Sequence, residues 1–278
     1  MRIKFLGTGA SEAIPAMFCR CRICENARKV GGKEMRTRAG VLINDDLMVD
    51  FSPDAYWHAR NYGLDFTKLK SIIITHGHSD HFNVEDLTNN RNHAVQAFEP
   101  DYVYLSPLKL YAEQKILDKM KKSCESNATV GSIVGHEVEF WQRFETEGYA
   151  ITPMPSLHCP NSLVYVLEKD EKTYLHLCDT GEIKEEVFEF LKARDVKVDA
   201  ITIDSTYGLL QVEYFGHLNL NQVVKICERF KADGVMKPNA KVYLTHIGHS
   251  GECTHAELEE QASKYGLNVA YDGLTIDL

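Results

Sequence analysis

Four side chains able to bind a divalent cation fall within six residues, in the run His76-Gly77-His78-Ser79-Asp80-His81. Imidazole and carboxylate together suit borderline and hard divalent metals. Alternate residues share a side in extended or tight-turn backbone, so His76 and His78 can converge on one ion while Asp80 and His81 turn toward a second. A lone histidine at a strand end reads as a hydrogen-bonded surface residue, whereas this density of donors does not. Two coordination shells need further ligands, and the candidates stand where other strands run into loops: Met154-Pro155-Ser156-Leu157-His158, Leu175-His176-Leu177-Cys178-Asp179-Thr180-Gly181 and Tyr243-Leu244-Thr245-His246.

A second concentration of donors lies near the N-terminus, where Cys19, Cys21 and Cys24 occupy six residues of a loop-like segment. Three thiolates need one more donor to complete a tetrahedral structural zinc, and His249, three residues beyond His246, is the residue chosen for it. Cys124, Cys159, Cys178, Cys227 and Cys253 are scattered without ligand spacing and read mainly as small buried hydrophobes.

The elements that must position these residues are legible as short β-branched runs at 3–6, 40–43, 47–50 and 71–75, bounded by Gly, Asn or Asp. Asn44-Asp45-Asp46 reads as a hairpin connection. Further strands are expected at 150–152, 162–167, 172–178, 200–203 and 241–245. Helices are expected at 53–62, 183–193, 220–232 and 255–265. Apolar Leu108, Tyr111, Ile116, Leu117 and Met120 recur at helical spacing among lysines, which predicts a surface helix over 108–123 inside a helical insertion near 108–144. Two strand-rich halves, each followed by helices and joined without a Pro/Gly/Ser linker, predict one α/β (α+β) domain over 1–278 with two sheets face to face and helices outside.

A hydrophobic content of 44% and a charged content of 26% are those of an ordinary globular protein and exclude a disordered chain. The formal charge of −9 argues against extended nucleic acid as a partner, because phosphate backbones are bound by clustered Lys and Arg. No run of about 18 apolar residues predicts a membrane span. Met1 leads directly into Arg2-Ile3-Lys4-Phe5-Leu6, without the pattern of a secretion signal, so the expected location is cytoplasmic.

The HxHxDH run, a distant His158, the Cys178-Asp179-Thr180 triplet and the late Thr245-His246 together resemble the metallo-β-lactamase superfamily over nearly the whole chain. That resemblance implies a four-layer αββα sandwich. It implies one metal on His76, His78 and His158, another on Asp80, His81 and His246, and Asp179 as the bridge. Two such ions, Zn, Mn or Fe, lower the pKa of a bridging water toward neutrality for hydrolysis, with Asp80 orienting the resulting hydroxide. Histidine at position 78, where redox relatives carry a carboxylate, favours a hydrolase.

Within the superfamily, Gly7-Thr8-Gly9-Ala10, CxCxxC and the closing Thr245-His246-Ile247-Gly248-His249 resemble the PhnP-type phosphoribosyl cyclic phosphate phosphodiesterases. The subgroup implies a structural zinc on Cys19, Cys21, Cys24 and His249, and a general acid at His217 in Gly216-His217-Leu218-Asn219. Gly7-Thr8-Gly9-Ala10 itself reads as a tight strand exit rather than a phosphate cradle, lacking GxGxxG or a Walker lysine. Asp204-Ser205-Thr206-Tyr207-Gly208 departs from the subgroup's pattern, and Arg91, Asn92 and His93 read as a solvated helix face in preference to phosphate contacts. The expected activity is hydrolysis of a small or cyclic phosphodiester. The alternatives are a transfer-RNA 3′-end endonuclease, which would need a basic clamping arm, and a non-catalytic carrier in cofactor biosynthesis. A small phosphodiester is the expected partner, and a homodimer is the assembly allowed.

Overall fold

The computed structural model describes residues 1–89, 105–212 and 216–278; Arg91, Asn92 and His93 lie outside them. The first sheet uses β1 (Arg2–Gly7), β2 (Gly40–Ile43), β3 (Leu47–Val49), β4 (Ser71–Ile73), β5 (Leu108–Ala112) and β6 (Ile133–Glu137). The second uses β7 (Phe144–Thr146), β8 (Tyr149–Pro155), β9 (Leu163–Lys169), β10 (Lys172–Leu177), β11 (Val198–Asp204), β12 (Met236–Thr245) and β13 (Asn268–Val269). The chain then returns to the first sheet as β14 (Thr275–Asp277), antiparallel to β1. The spatial orders are β14-β1-β2-β3-β4-β5-β6 and β13-β12-β11-β10-β9-β8-β7.

Side-chain alternation explains the layering. Along β1, Ile3 and Phe5 point between the sheets while Leu6 packs outward; in β12, Tyr243 points between them while Val242 and Leu244 pack outward. The layer between the sheets carries fully buried Tyr149, Tyr165 and Tyr174. Helices α1 (Arg22–Val30), α2 (Ala55–Tyr62), α3 (Val84–Asn89), α4 (Gln114–Ser126), α5 (Glu185–Ala193), α6 (Leu220–Ala232) and α7 (His255–Ser263) supply the outer layers. Residues of α2, α3 and α4 join the core outside the first sheet, and those of α1, α5, α6 and α7 the core outside the second. The result is an αββα sandwich, since central strands such as β3, β4 and β8 bury both faces and each helix one.

The expected helix over 108–123 needs correction. Residues 108–112 form β5, paired in parallel with β4 and β6, and only α4 is helical. Leu108, Leu110 and Ala112 alternate with Lys109 and Tyr111 at period two, and the three-residue step from Leu108 to Tyr111 imitates a helical period. The segment 108–144 is therefore no helical insertion: β5 and β6 complete the edge of the first sheet. The CxCxxC segment also differs from a simple loop, because Cys24 lies in the first turn of α1.

Candidate metal centre

The site residues sit at strand exits along one edge of the sandwich. Strand β3 runs parallel to β4, and β10 parallel to β11 and β12, so Asp50, His76, Asp179, Asp204 and His246 leave their strands on matching sides. His158 follows β8, and the amide of Leu163, opening β9, donates to the Thr75 carbonyl at 2.8 Å, tying the second sheet to the loop that starts at His76. Asp50, Asp179 and His246 adopt left-handed backbone with φ of 62°, 53° and 58°. Such a conformation costs energy in a non-glycine residue and is retained where the surroundings enforce it, commonly at functional sites.

The structure brings together every residue of the expected binuclear site. His78 Nδ1 lies 2.9 Å from His76 Nε2 and 3.1 Å from His158 Nε2. On the other side, His81 Nε2 is 3.3 Å from both His246 Nε2 and Asp80 Oδ2. One oxygen joins the groups: Asp179 Oδ2 is 3.1 Å from His76 Nε2, 3.1 Å from His81 Nε2, 3.3 Å from His158 Nε2 and 3.7 Å from His246 Nε2.

The far side of four of these rings is also fixed. His81 Nδ1 is 2.6 Å from Asp50 Oδ2, His76 Nδ1 3.0 Å from Thr75 Oγ1, His158 Nδ1 3.2 Å from the Gly216 carbonyl and His246 Nδ1 2.8 Å from Thr206 Oγ1. Metal-binding histidines characteristically have the second ring nitrogen held in this way. Sequence reasoning missed Asp50, Asp204, Thr206 and the Gly216 carbonyl. The available signal was positional, since Asp50 and Asp204 end strands as Asp179 nearly does.

These residues fit a pair of divalent cations. Ligand atoms around an ion with bonds of about 2.0–2.1 Å are separated by about 3–3.4 Å, the spacing found among the inward-facing atoms. Asp179 Oδ1 is buried yet receives no hydrogen bond among the described residues. Burial opposes ionisation of Asp80 and Asp179, but neighbouring imidazoles outweigh it and hold both carboxyls well below their usual range. Burial likewise lowers His76, to about 4, keeping it neutral as a metal ligand must be. His176, three residues before Asp179, points away to Tyr174 Oη and Thr202 Oγ1, each 3.0 Å from its Nδ1.

His217 stands beside this group. It is placed by two devices: the Leu218 amide donates to Asp204 Oδ1 at 3.0 Å, and Asn219 caps α6 in a reciprocal box with Gln222. Its Nδ1 is 3.1 Å from Asp204 Oδ2 and equally close to Asp179 Oδ1, although only the Asp204 contact has hydrogen-bonding direction. Burial works against protonating the ring, but the two carboxylates raise its pKa to about 10. Tyr207 meets this ring edge-on at 6.0 Å.

The thiolate cluster assembles separately. His249 Nδ1 lies 3.5 Å from both Cys19 Sγ and Cys21 Sγ, and Cys24 Sγ completes the group. Burial opposes a Cys21 thiolate, but hydrogen bonds from the Cys24 amide and His249 bring it down to about 6, while burial pushes Cys24 up to about 12. Separations near 3.5 Å suit a tetrahedral ion with Zn–S bonds of about 2.3 Å. The Gly7-Thr8-Gly9-Ala10 turn supports the neighbouring chain: the Ile247 amide donates to the Thr8 carbonyl at 2.9 Å, and the Ala10 amide to the Ile247 carbonyl at 3.1 Å. A Cβ on Gly7 would stand 2.0 Å from the Arg38 carbonyl oxygen, so close backbone approach accounts for that glycine.

Comparison with known proteins agrees with this architecture. The Beta-lactamase superfamily domain matches residues 46–247. Coenzyme PQQ synthesis protein B of Methylorubrum populi is 23% identical over 313 aligned positions covering 100% of both chains. A protein named Octanoyltransferase from Porphyromonas gingivalis is 32% identical over 126 residues, 44% of this chain but 22% of that protein, so the match spans about a fifth of its length. Among solved structures, a diphosphatase from the PhnP family has a TM-score of 0.76 at 23% identity, covering 100% of this chain and 97% of that one. Zn(2+)-bound PqqB from Methylobacterium extorquens gives 0.75 at 19% identity, with 100% of each chain covered. Human tRNase Z, short form, gives 0.70 at 15% identity, covering 100% of this chain and 99% of that one. The structural likenesses establish the fold, and with the domain match they place the chain in the metallo-β-lactamase superfamily.

Proposed function

We propose that the protein is a binuclear metal-dependent phosphodiesterase acting on a small or cyclic, phosphoribosyl- or nucleotide-like phosphodiester. The observation that carries this reading is His217 held against Asp204 at the edge of the shared carboxylate Asp179. A proton donor beside a two-metal site is what expulsion of a poor alkoxide leaving group requires.

His76, His78 and His158 would hold one ion, Asp80, His81 and His246 the other, and Asp179 both. When bound, two divalent ions supply water activation and neutralise charge on the phosphoryl oxygens. Asp80 orients the attacking water. Asp204 fixes His217 through Nδ1, which assigns proton transfer to Nε2 and delivers a proton to the departing alcohol. Cys19, Cys21, Cys24 and His249 would hold a structural zinc away from the reaction. A cytoplasmic location and a homodimer accompany this proposal. The charge of −9 weighs against the transfer-RNA endonuclease reading.

A second reading is a role in cofactor biosynthesis, favoured by the full-length match to coenzyme PQQ synthesis protein B. The separating experiment loads the protein with Zn or Mn and offers bis(p-nitrophenyl) phosphate, cyclic nucleotides and ribose cyclic phosphates beside a lactam and a thioester. Turnover of phosphodiesters alone is expected. Absence of phosphodiester turnover with either metal overturns the phosphodiesterase reading.

A further inference from the structure

Directly after His158 the chain makes a turn that the hydrolytic reading leaves unused. In Cys159-Pro160-Asn161-Ser162 the Ser162 amide donates to the Cys159 carbonyl at 3.2 Å, and Asn161 has φ of 62°. Proline second and a left-handed asparagine third are the signature of a type II turn, whose backbone is fixed by its residues. The Ser162 side chain locks the turn again, its Oγ donating to the Cys159 carbonyl at 2.8 Å and lying 3.3 Å from the Cys159 amide. The next residue, Leu163, is bonded to Thr75. Cys159 is thus held rigidly relative to both His158 and the strand end carrying His76.

This turn aims the thiol at the metal centre. Cys159 Sγ and one ring nitrogen from each of His76, His78 and His158 all lie within 4.8 Å of one another. The half-buried sulfur completes a group of three nitrogens and one sulfur. The partner group, Asp80, His81, Asp179 and His246, has two carboxylates and two imidazoles. The two shells therefore differ in softness: thiolate favours thiophilic ions such as zinc, and carboxylates also accept manganese.

We propose that Cys159 is a further protein ligand of the ion held by His76, His78 and His158, beside the shared Asp179, making that position the thiophilic member of the pair. The inference rests on the binuclear reading. On binding, the S–H bond breaks, a sulfur–metal bond forms and the proton passes to solvent, with no change in oxidation state.

The test titrates metal-free protein with zinc and separately with manganese, mapping iodoacetamide alkylation of Cys159 by mass spectrometry at each step. Zinc is expected to protect Cys159 at the stoichiometry that fills the binuclear site, and manganese to protect it less. Cys159→Ser should weaken zinc binding to one ion by at least the roughly 10–100-fold that loss of an outer partner costs. Its manganese affinity should stay within about threefold. Two tightly bound zinc ions in the binuclear site, with Cys159 alkylated as fast as in the metal-free protein and Cys159→Ser unchanged in affinity, overturn the inference and leave the binuclear reading standing. Zinc binding at the Cys19 cluster alone overturns both.

Discussion

The His217 ring illustrates how much a single residue's meaning depends on its contacts. In sequence it precedes a helix and carries no ligand spacing. In the fold its Nδ1 faces Asp204, and its ring stacks 5.5 Å from His246. His217→Ala should lower turnover of an alkyl phosphodiester by about 10²- to 10⁴-fold. Turnover of bis(p-nitrophenyl) phosphate should fall far less, because nitrophenolate departs without a proton. Metal content, read by elemental analysis, should be unchanged; equal losses on both substrates would remove His217 from the proton-donor role. At this scale, local chemistry was legible and distant chemistry was not. His76, His78, Asp80 and His81 declare themselves by crowding. Asp50, Asp204 and Thr206 act only through rings that arrive from elsewhere in the chain, which no short window of sequence contains.

Among the elements, those with a clean period and clear punctuation were legible: β2, β10, β11 and α6 lie close to where the pattern puts them. Strand β5 was misread because its apolar positions satisfy two periods at once, and α1 because the cysteines at and before its start drew attention to loop chemistry. The exit of β1 makes a sharper statement. Gly7 has no room for a methyl group beside the Arg38 carbonyl, which is backbone and cannot rotate away. Gly7→Ala should therefore force the turn apart and cost about 1–3 kcal/mol, in the range of overpacked interiors. A shift of the urea midpoint checks this, and an unshifted midpoint would mean the turn relaxes freely.

For the molecule as a whole, the sandwich was legible because two halves repeat the strands-then-helices order, and buried titratable side chains were not. His58 and His176 are both fully enclosed, and burial lowers each from its ordinary 6.5 to about 4 despite the charges of Asp54 and Asp50 respectively. The unfolded chain takes up these protons near pH 6.5 and the folded chain only near 4. Stability from this source is complete above the first value and is lost as pH falls toward the second, by about 3 kcal/mol per ring. Chemical denaturation at several pH values should show the fall, and His58→Gln should show a shallower slope across the same window. Identical slopes in the two proteins would exclude His58 as a contributor. No helix among the described residues is long and apolar enough to cross a membrane.

His246 and His249 lie three residues apart on one exit from β12, and Ile247 between them is pinned on both sides to the β1 turn. A segment this short has no slack, so whatever orders one imidazole has already removed most of the freedom the other would lose. Ions held at the two clusters would therefore be linked thermodynamically with a positive sign, by an entropy spent once and shared. Disabling the thiolate cluster with Cys21→Ser should raise the dissociation constant for zinc at the binuclear site, measurable by calorimetry, and equal constants would show the exit of β12 to be rigid on its own.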